Sequence, residues 1–340
     1  MSATDLNAVA RAMVAPGKGI LAADESSGTI TKRFEAIGVE STFDSRRDYR
    51  QVLLTTPGLE EFVSGVILYD ETLRQSTTDG VPFPRLLEER GIMPGIKVDT
   101  GAKPMPFSPE EKITEGLDGL PDRVKEYVSL GAKFAKWRAV ITIGEGIPTD
   151  YCIEANAHAL ARYASICQEG GLVPIVEPEV LMDWENDIGR CYEVTKRAHL
   201  AVFRALQLHQ VQLDGMILKP NMAIAGKKAA TQAGVDEVAE KTVKLLRETV
   251  PAAVPGIAFL SGGQSAEVAT EHLNAMNKLG PHPWQLSFSY GRALQDPALT
   301  AWKGEASNAD AGQAALYTRS KANSLATAGK YAPDFETAGA

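Results

Sequence analysis

GMILKPNM, residues 215–222, is an apolar run that stops at a lysine, Lys219, and is closed by Pro220. Met, Ile and Leu in succession suit a short buried strand. A lysine serving only solubility could sit anywhere on a helix face, so its position where a buried strand ends needs a reason. The same grammar recurs along the chain. Short apolar runs, mostly introduced by Gly or Pro, occur as GILAADES (19–26), GVILYD (65–70), GIKVD (95–99), AKWR (135–138), PIVEPE (174–179), GMILKP (215–220), GIAFLSGG (256–263) and LSFSYGR (286–292). Each is usually followed by a helical pattern, the alternation of parallel βα units. Their starts lie roughly 30–45 residues apart, enough for strand, loop, helix and return.

Helical spacing fills the intervals: Asp44 to Thr56, Thr149 to Glu169 closed by Gly170 and Gly171, Trp184 to Leu208, Val235 to Thr249, and Ser265 to Leu279 closed by Gly280. The first 19 residues read as an amphipathic opening helix, and the segment after Gly304 as one helix to about Ala328. A polar, mobile end is expected over 329–340. With no linker or low-complexity tract, the pattern predicts one (β/α)8 barrel domain over 1–340; a doubly wound open sheet is the alternative.

Composition narrows the function. The 340 residues are 44% hydrophobic and 23% charged, with a net charge of −8, which argues against a phosphate-neutralising nucleic-acid binder. No run approaches the apolar length of a membrane span, and no signal or transit peptide is evident, so a cytoplasmic location is expected. Cys152, Cys167 and Cys191 lack CxxC spacing, and the five histidines form no HxxxH or HExxH pair, so neither metal nor other cofactor is expected.

Seven runs carry charge at or just past their C-terminal ends: Asp24, Asp70, Lys97 with Asp99, Lys136 with Arg138, Glu177 with Glu179, Lys219, and Arg292. A parallel barrel gathers these ends on one face. Contact with water explains some polar strand ends, but not charges embedded in VILYD, FAKWR, PIVEP and MILKP. A buried charge is costly unless paired, so these residues are expected to meet.

A lysine nucleophile acts as the free amine, which at an unperturbed pKa near 10.4 is about one molecule in a few thousand at neutral pH. Desolvation and a neighbouring cation favour that form, and Lys136, inward-facing on the fourth strand, is such a cation. Glu177 and Glu179 offer acid/base groups for carbinolamine formation and dehydration. Lys219 is therefore a Schiff-base candidate for a carbonyl substrate; a structural ion pair with either glutamate is the alternative. FLSGGQS (259–265) turns from a strand through Ser261, Gly262 and Gly263 into a helix start, a geometry that presents backbone N–H groups to an anion. Gly291 and Arg292 follow the eighth strand beside it, where barrels often hold phosphate. Lys97 and Arg138, with Arg33 near Ser26 and Thr29, form a second cationic group.

The ordered motifs GILAADES, GLEEFVSGVIL, QSTTDG, PGIKVD, FAKWR, GLVPIVEPE, ILKPNM, VPGIAFLSGGQS, LNAMN, FSYGRALQ and KANSLA closely resemble class I fructose-bisphosphate aldolase from one end of the chain to the other. The resemblance implies a (β/α)8 lyase, usually tetrameric, that splits fructose 1,6-bisphosphate reversibly into dihydroxyacetone phosphate and glyceraldehyde 3-phosphate without metal. By the same resemblance Lys219 matches the Schiff-base lysine, Glu177 its acid/base with Glu179 beside it, Asp24 the acceptor of the C4 hydroxyl proton, and Lys136 the nearby cation. Ser261, Gly262, Gly263, Ser289, Gly291 and Arg292 match the C1-phosphate region. Ser26, Thr29, Arg33, Lys97 and Arg138 match positions around the other phosphate, with Thr29 where serine is common. Two departures stand out. Many relatives end in a tyrosine that assists proton exchange, whereas this chain ends FETAGA with Tyr331 as its last tyrosine, and Thr100 replaces a frequent lysine. Discrimination between the bisphosphate and fructose 1-phosphate is thereby opened. A sugar-phosphate-binding scaffold with little turnover, an aldolase of altered preference and a transaldolase-like barrel are the competing readings.

Overall fold

Side chains alternate between the two faces of a strand, and here that period sorts charge from hydrocarbon. A computed structural model describes residues 3–337. Its eight parallel strands are β1 (Gly19–Ala23), β2 (Val63–Leu68), β3 (Met93–Lys97), β4 (Phe134–Ile141), β5 (Val173–Val180), β6 (Ile217–Leu218), β7 (Gly256–Phe259) and β8 (Gln285–Tyr290). They close into a barrel in which each strand pairs with its neighbours in chain order and β8 returns to β1. All eight correspond to the runs expected from the sequence, and the open-sheet alternative is excluded by closure.

In β4, Ala135, Trp137 and Ala139 face outward into the main core between strands and helices. The Trp137 ring stacks on Tyr163 of the helix Asp150–Glu169 at 5.5 Å between centroids, and Tyr163 donates to the Ile175 carbonyl at 3.1 Å. Phe134 faces inward with Ile20, Ile67, Val173, Ile175, Ile217 and Ala258. That inner cluster also takes in Leu6, Ala10, Met13 and Val14, so the opening helix Ala3–Met13 and the residue after it stop the barrel at the strands' N-terminal end. One step of the period further along, the inward positions turn polar: Lys136 after Phe134, Glu177 after Ile175, and Lys219 after Ile217.

The opening question about Lys219 and Pro220 has a backbone answer. The Lys219 N–H donates to Val176 O on β5 at 2.8 Å, and Pro220, which has no N–H, accepts at its carbonyl from Leu260 N at 3.1 Å. Asn221 then closes the turn by accepting from Val180 N at 3.0 Å and donating to Thr195 Oγ1 at 3.1 Å. The lysine is thus pinned between its neighbouring strands.

Two details differ from the sequence expectation, the hairpin after β3 and the start of the helix expected from Trp184. An antiparallel hairpin, Gly101–Met105 with Ser108–Glu115, follows β3. It is fastened by Glu111, which accepts from the backbone N–H and hydroxyl of Thr149, both at 2.7 Å, at the start of the helix Asp150–Glu169. The helix expected from Trp184 begins at Ile188, where Asp187 accepts from Arg190 N at 2.7 Å as its cap. The end expected to be mobile is described as far as Thr337 and includes a short helix, Asp334–Thr337; residues 338–340 of that expectation lie outside the described residues. Tyr331 is buried, its N–H donating to Asn274 Oδ1 at 3.0 Å and its hydroxyl to Glu336 Oε1 at 2.7 Å. Among the described residues no helix is long and apolar enough to cross a membrane.

Candidate active site

At the strands' C-terminal ends a cavity of about 250 Å³ opens, and its walls include every site residue expected from the sequence except Gly263. At its floor are the buried side chains of Lys219, Lys136 and Glu177 and the partly buried Asp24. Lys219 Nζ lies 3.4 Å from Glu177 Oε1. Lys136 Nζ lies 2.6 Å from Asp24 Oδ2, 3.6 Å from Glu177 Oε2 and 4.0 Å from Asp99 Oδ2. Their convergence follows from register, because Lys136 sits on β4 beside Ile175, two residues before Glu177.

The two carboxyls are driven in opposite directions. Burial works to raise Asp24, but the Lys136 ammonium, with Lys219 and Lys97 behind it, overcomes burial and holds that carboxyl well below the usual range. For Glu177 burial prevails over Lys219 and Lys136 and lifts the carboxyl above its ordinary value. Burial opposes the charge on Lys136 too, yet Asp24, Glu177 and Asp99 together raise it and keep it an ammonium. One site therefore presents a firmly ionised carboxylate beside a carboxyl suited to carrying a proton. Glu177 Oε2 is buried with no hydrogen-bond partner and faces Lys136 Nζ at 3.6 Å.

The wall groups form two sets. Ser261, Gly262, Ser289, Gly291 and Arg292 make up the first. Gly262 and Gly263 adopt positive φ, 60° and 77°, a backbone that glycine tolerates and other residues resist. Gly263 itself faces Arg292 from behind the turn: a Cβ built on it would lie 3.1 Å from Arg292 Nη2. The Ser289 hydroxyl is buried and unpartnered. The second set is Ser26, Thr29, Arg33, Lys97 and Arg138, with the hydroxyls of Ser26 and Thr29 3.1 Å apart; Arg138 also lines a smaller pocket with Gly262 and Arg292. Arg138 is ion-paired to Glu179, so the second glutamate orients a cation. Lys97 Nζ donates to Asp99 Oδ1 at 2.6 Å and to Asp99 O at 2.8 Å.

A family model described as fructose-bisphosphate aldolase class-I matches residues 5–340. The chain belongs to the class I fructose-bisphosphate aldolase family. Among its relatives, a probable fructose-bisphosphate aldolase class 1 of Xanthomonas campestris is 58% identical, over 97% of this chain and 99% of that one. Fructose-bisphosphate aldolase 1 of Toxoplasma gondii is 54% identical over 97% and 91%. A solved aldolase of Plasmodium falciparum, crystallised with TRAP and a small-molecule inhibitor, is 51% identical and superimposes with a TM-score of 0.96, covering 97% of this chain and 95% of its own. The activity is that of a lyase, the reversible cleavage of fructose 1,6-bisphosphate through a lysine Schiff base and enamine.

Within this aldolase, sequence reasoning missed the support behind the site. Glu25, next to Asp24, points away from the axis and accepts from Arg33 and Arg50, each at 2.7 Å, and from Gln295 at 2.8 Å. Arg33 is therefore already tied to a buried carboxylate. Asp99 was visible as a strand-end charge, and its spacing of two from Lys97 is the signal that turns it toward the same lysines. Tyr331 gives the aldolase no accessible phenol: burial and then Glu336 push its proton affinity well above the ordinary value.

Proposed function

We propose that Lys219 is the nucleophile of this aldolase, that Glu177 is its proton carrier and that Asp24 is the base for cleavage. The observation that carries the assignment is the contact of Lys219 Nζ with Glu177 Oε1 at 3.4 Å, with the Asp24–Lys136 pair in the same buried floor. The free amine attacks C2 of the ketose and forms a C–N bond; the C2 oxygen takes one proton from the attacking nitrogen and a second from Glu177 and departs as water, leaving a protonated imine. Asp24 takes the proton of the C4 hydroxyl, the C3–C4 bond breaks, and its electron pair moves into the imine to give a neutral enamine and an aldehyde. Protonation at C3 and addition of water then release dihydroxyacetone phosphate and restore the amine. Lys136 keeps Asp24 ionised and repels a second positive charge at Lys219.

In this reading Ser261, Gly262, Gly263, Ser289, Gly291 and Arg292 receive the C1 phosphate. Ser26, Thr29, Arg33, Lys97 and Arg138 receive the other, with Glu179 holding Arg138. The enzyme works as a single-domain protomer of a cytoplasmic homotetramer. Incubation with dihydroxyacetone phosphate and borohydride, followed by mass mapping, tests the assignment. The expected adduct is on Lys219, forms equally in EDTA, and accompanies cleavage of the bisphosphate. An adduct on another lysine overturns it; an adduct without cleavage favours a changed substrate, and none at all favours a scaffold.

A second reading, weakened discrimination between the bisphosphate and fructose 1-phosphate, is favoured by Tyr331, which is buried with its hydroxyl bonded to Glu336. Comparison of cleavage rates on the two substrates separates it from strict preference for the bisphosphate.

A further inference from the structure

Lys227 lies eight residues past Lys219, outside every motif singled out in the sequence, and its position is built by backbone. Three consecutive N–H groups of its loop donate across to the loop after β5: Gly226 N to Asn186 O at 2.8 Å, Lys227 N to Met182 O at 2.7 Å, and Lys228 N to Trp184 O at 3.1 Å. Gly226 permits that approach, since a Cβ there would lie 2.0 Å from Trp184 O. The ladder delivers the Lys227 side chain to the Ser261-Gly262-Gly263 turn. A Cβ built on Gly263 would lie 3.0 Å from Lys227 Nζ and 3.1 Å from Arg292 Nη2, so the two cationic nitrogens flank one glycine, roughly 6 Å apart at most.

Two like charges converging on a turn repel each other unless an anion lies between them or each is separately neutralised. Lys227 has a partner, Asp183, at 3.1 Å, with both side chains about half exposed; such a pair is weak and readily exchanged. Arg292 makes no ion pair among the described residues. Both line a cavity of about 170 Å³ that shares Arg138, Glu179, Leu260, Gly262 and Arg292 with the active-site cavity. The buried, unpartnered Ser289 hydroxyl stands on the active-site side.

We infer that Lys227 is a substrate-binding residue that leaves Asp183 to bind the C1 phosphate opposite Arg292. The inference rests on the proposed placement of that phosphate at the Ser-Gly-Gly turn. Lys227 stands clear of the reacting carbons, so it acts on binding in ground state and transition state alike. Asp183 competes with substrate for the same ammonium and sets how much of the cation is available.

The test uses the full chain and four variants, with KM and kcat measured on fructose 1,6-bisphosphate and fructose 1-phosphate, and competitive inhibition by inorganic phosphate. Lys227→Ala is expected to raise KM for both substrates by on the order of tenfold, the loss of one charge-assisted hydrogen bond, with the effect on KM rather than kcat. Lys227→Arg restores most of the loss, and Asp183→Asn moves the opposite way, with phosphate inhibiting more tightly than in the parent. A purely structural role for Lys227 predicts loss in both Lys227→Ala and Asp183→Asn, and that result overturns the inference. An unchanged KM in Lys227→Ala beside a raised KM in Arg292→Ala overturns it while leaving the phosphate placement intact. A loss confined to the bisphosphate assigns Lys227 to the other phosphate and overturns it too. If Arg292→Ala leaves KM unchanged, the phosphate placement fails first.

Discussion

Glu177 touches two lysines with different oxygens: Oε1 faces Lys219 Nζ at 3.4 Å and Oε2 faces Lys136 Nζ at 3.6 Å. The carboxyl thus joins the covalent step to the pair that serves bond cleavage. A proton gained or lost at Glu177 alters the electrostatics at both amines, while Asp24 stays clamped to Lys136.

Lys219→Arg keeps a positive charge but removes the attackable amine. Cleavage is expected to fall by at least about a thousandfold, and the borohydride adduct to vanish from the mass map. Trapped adduct at the parental level would remove Lys219 from the covalent role.

Asp24→Ala separates binding from cleavage. Its carboxylate holds Lys136 at 2.6 Å but does not contact Lys219. Cleavage of the bisphosphate is expected to drop by about 10²–10⁴-fold while dihydroxyacetone phosphate still traps on Lys219. Equal loss of both activities would place Asp24 in imine formation instead.

Opposite pH signatures are expected from the neighbouring carboxyls. Asp24 is depressed in the folded state, so it adds stability above its unfolded value, about 3.9, and loses that contribution as pH falls. Asp24→Asn should therefore melt below the parent at neutral pH, by on the order of 2 °C, with the gap closing in acid. Glu177 is raised, so its contribution declines as pH climbs from the ordinary glutamate value near 4.3 toward its higher folded one. Glu177→Gln should gain on the parent as pH climbs through that window. Parallel melting curves for the two variants would contradict these environments.

Arg138→Ala tests the second phosphate. Arg138 is held by Glu179 and lines one pocket with Ser26, Thr29 and Lys97 and another with Gly262 and Arg292. KM for fructose 1,6-bisphosphate is expected to rise on the order of tenfold, and KM for fructose 1-phosphate to change by less than about twofold. Steady-state kinetics showing equal shifts would assign Arg138 to the shared phosphate.

Local repetition made the barrel legible, because each apolar run with its terminal charge reports both the strand and the end that faces the mouth. The inward phase of Phe134, Lys136 and Arg138 could be read from spacing alone. Their pairing partners could not, since Glu25 meets Arg50 and Gln295 across the fold, and no local pattern encodes a contact over 270 residues. The hairpin over 101–115 escaped for another reason. Its strands are largely exposed and carry no continuous apolar alternation, so cross-strand hydrogen bonds and Glu111 define it. Lys227 escaped because the feature that positions it is a backbone ladder between two loops.

The opening helix packed among Ile20, Phe134 and Ile217 makes the barrel a vessel with one mouth. Fragments formed inside must leave by the route through which the sugar entered. With the ketone half still bonded to Lys219 in the proposed mechanism, the aldehyde departs first. Product inhibition should carry that order: dihydroxyacetone phosphate competes with the sugar for empty enzyme, while glyceraldehyde 3-phosphate, which meets only the loaded form, inhibits noncompetitively.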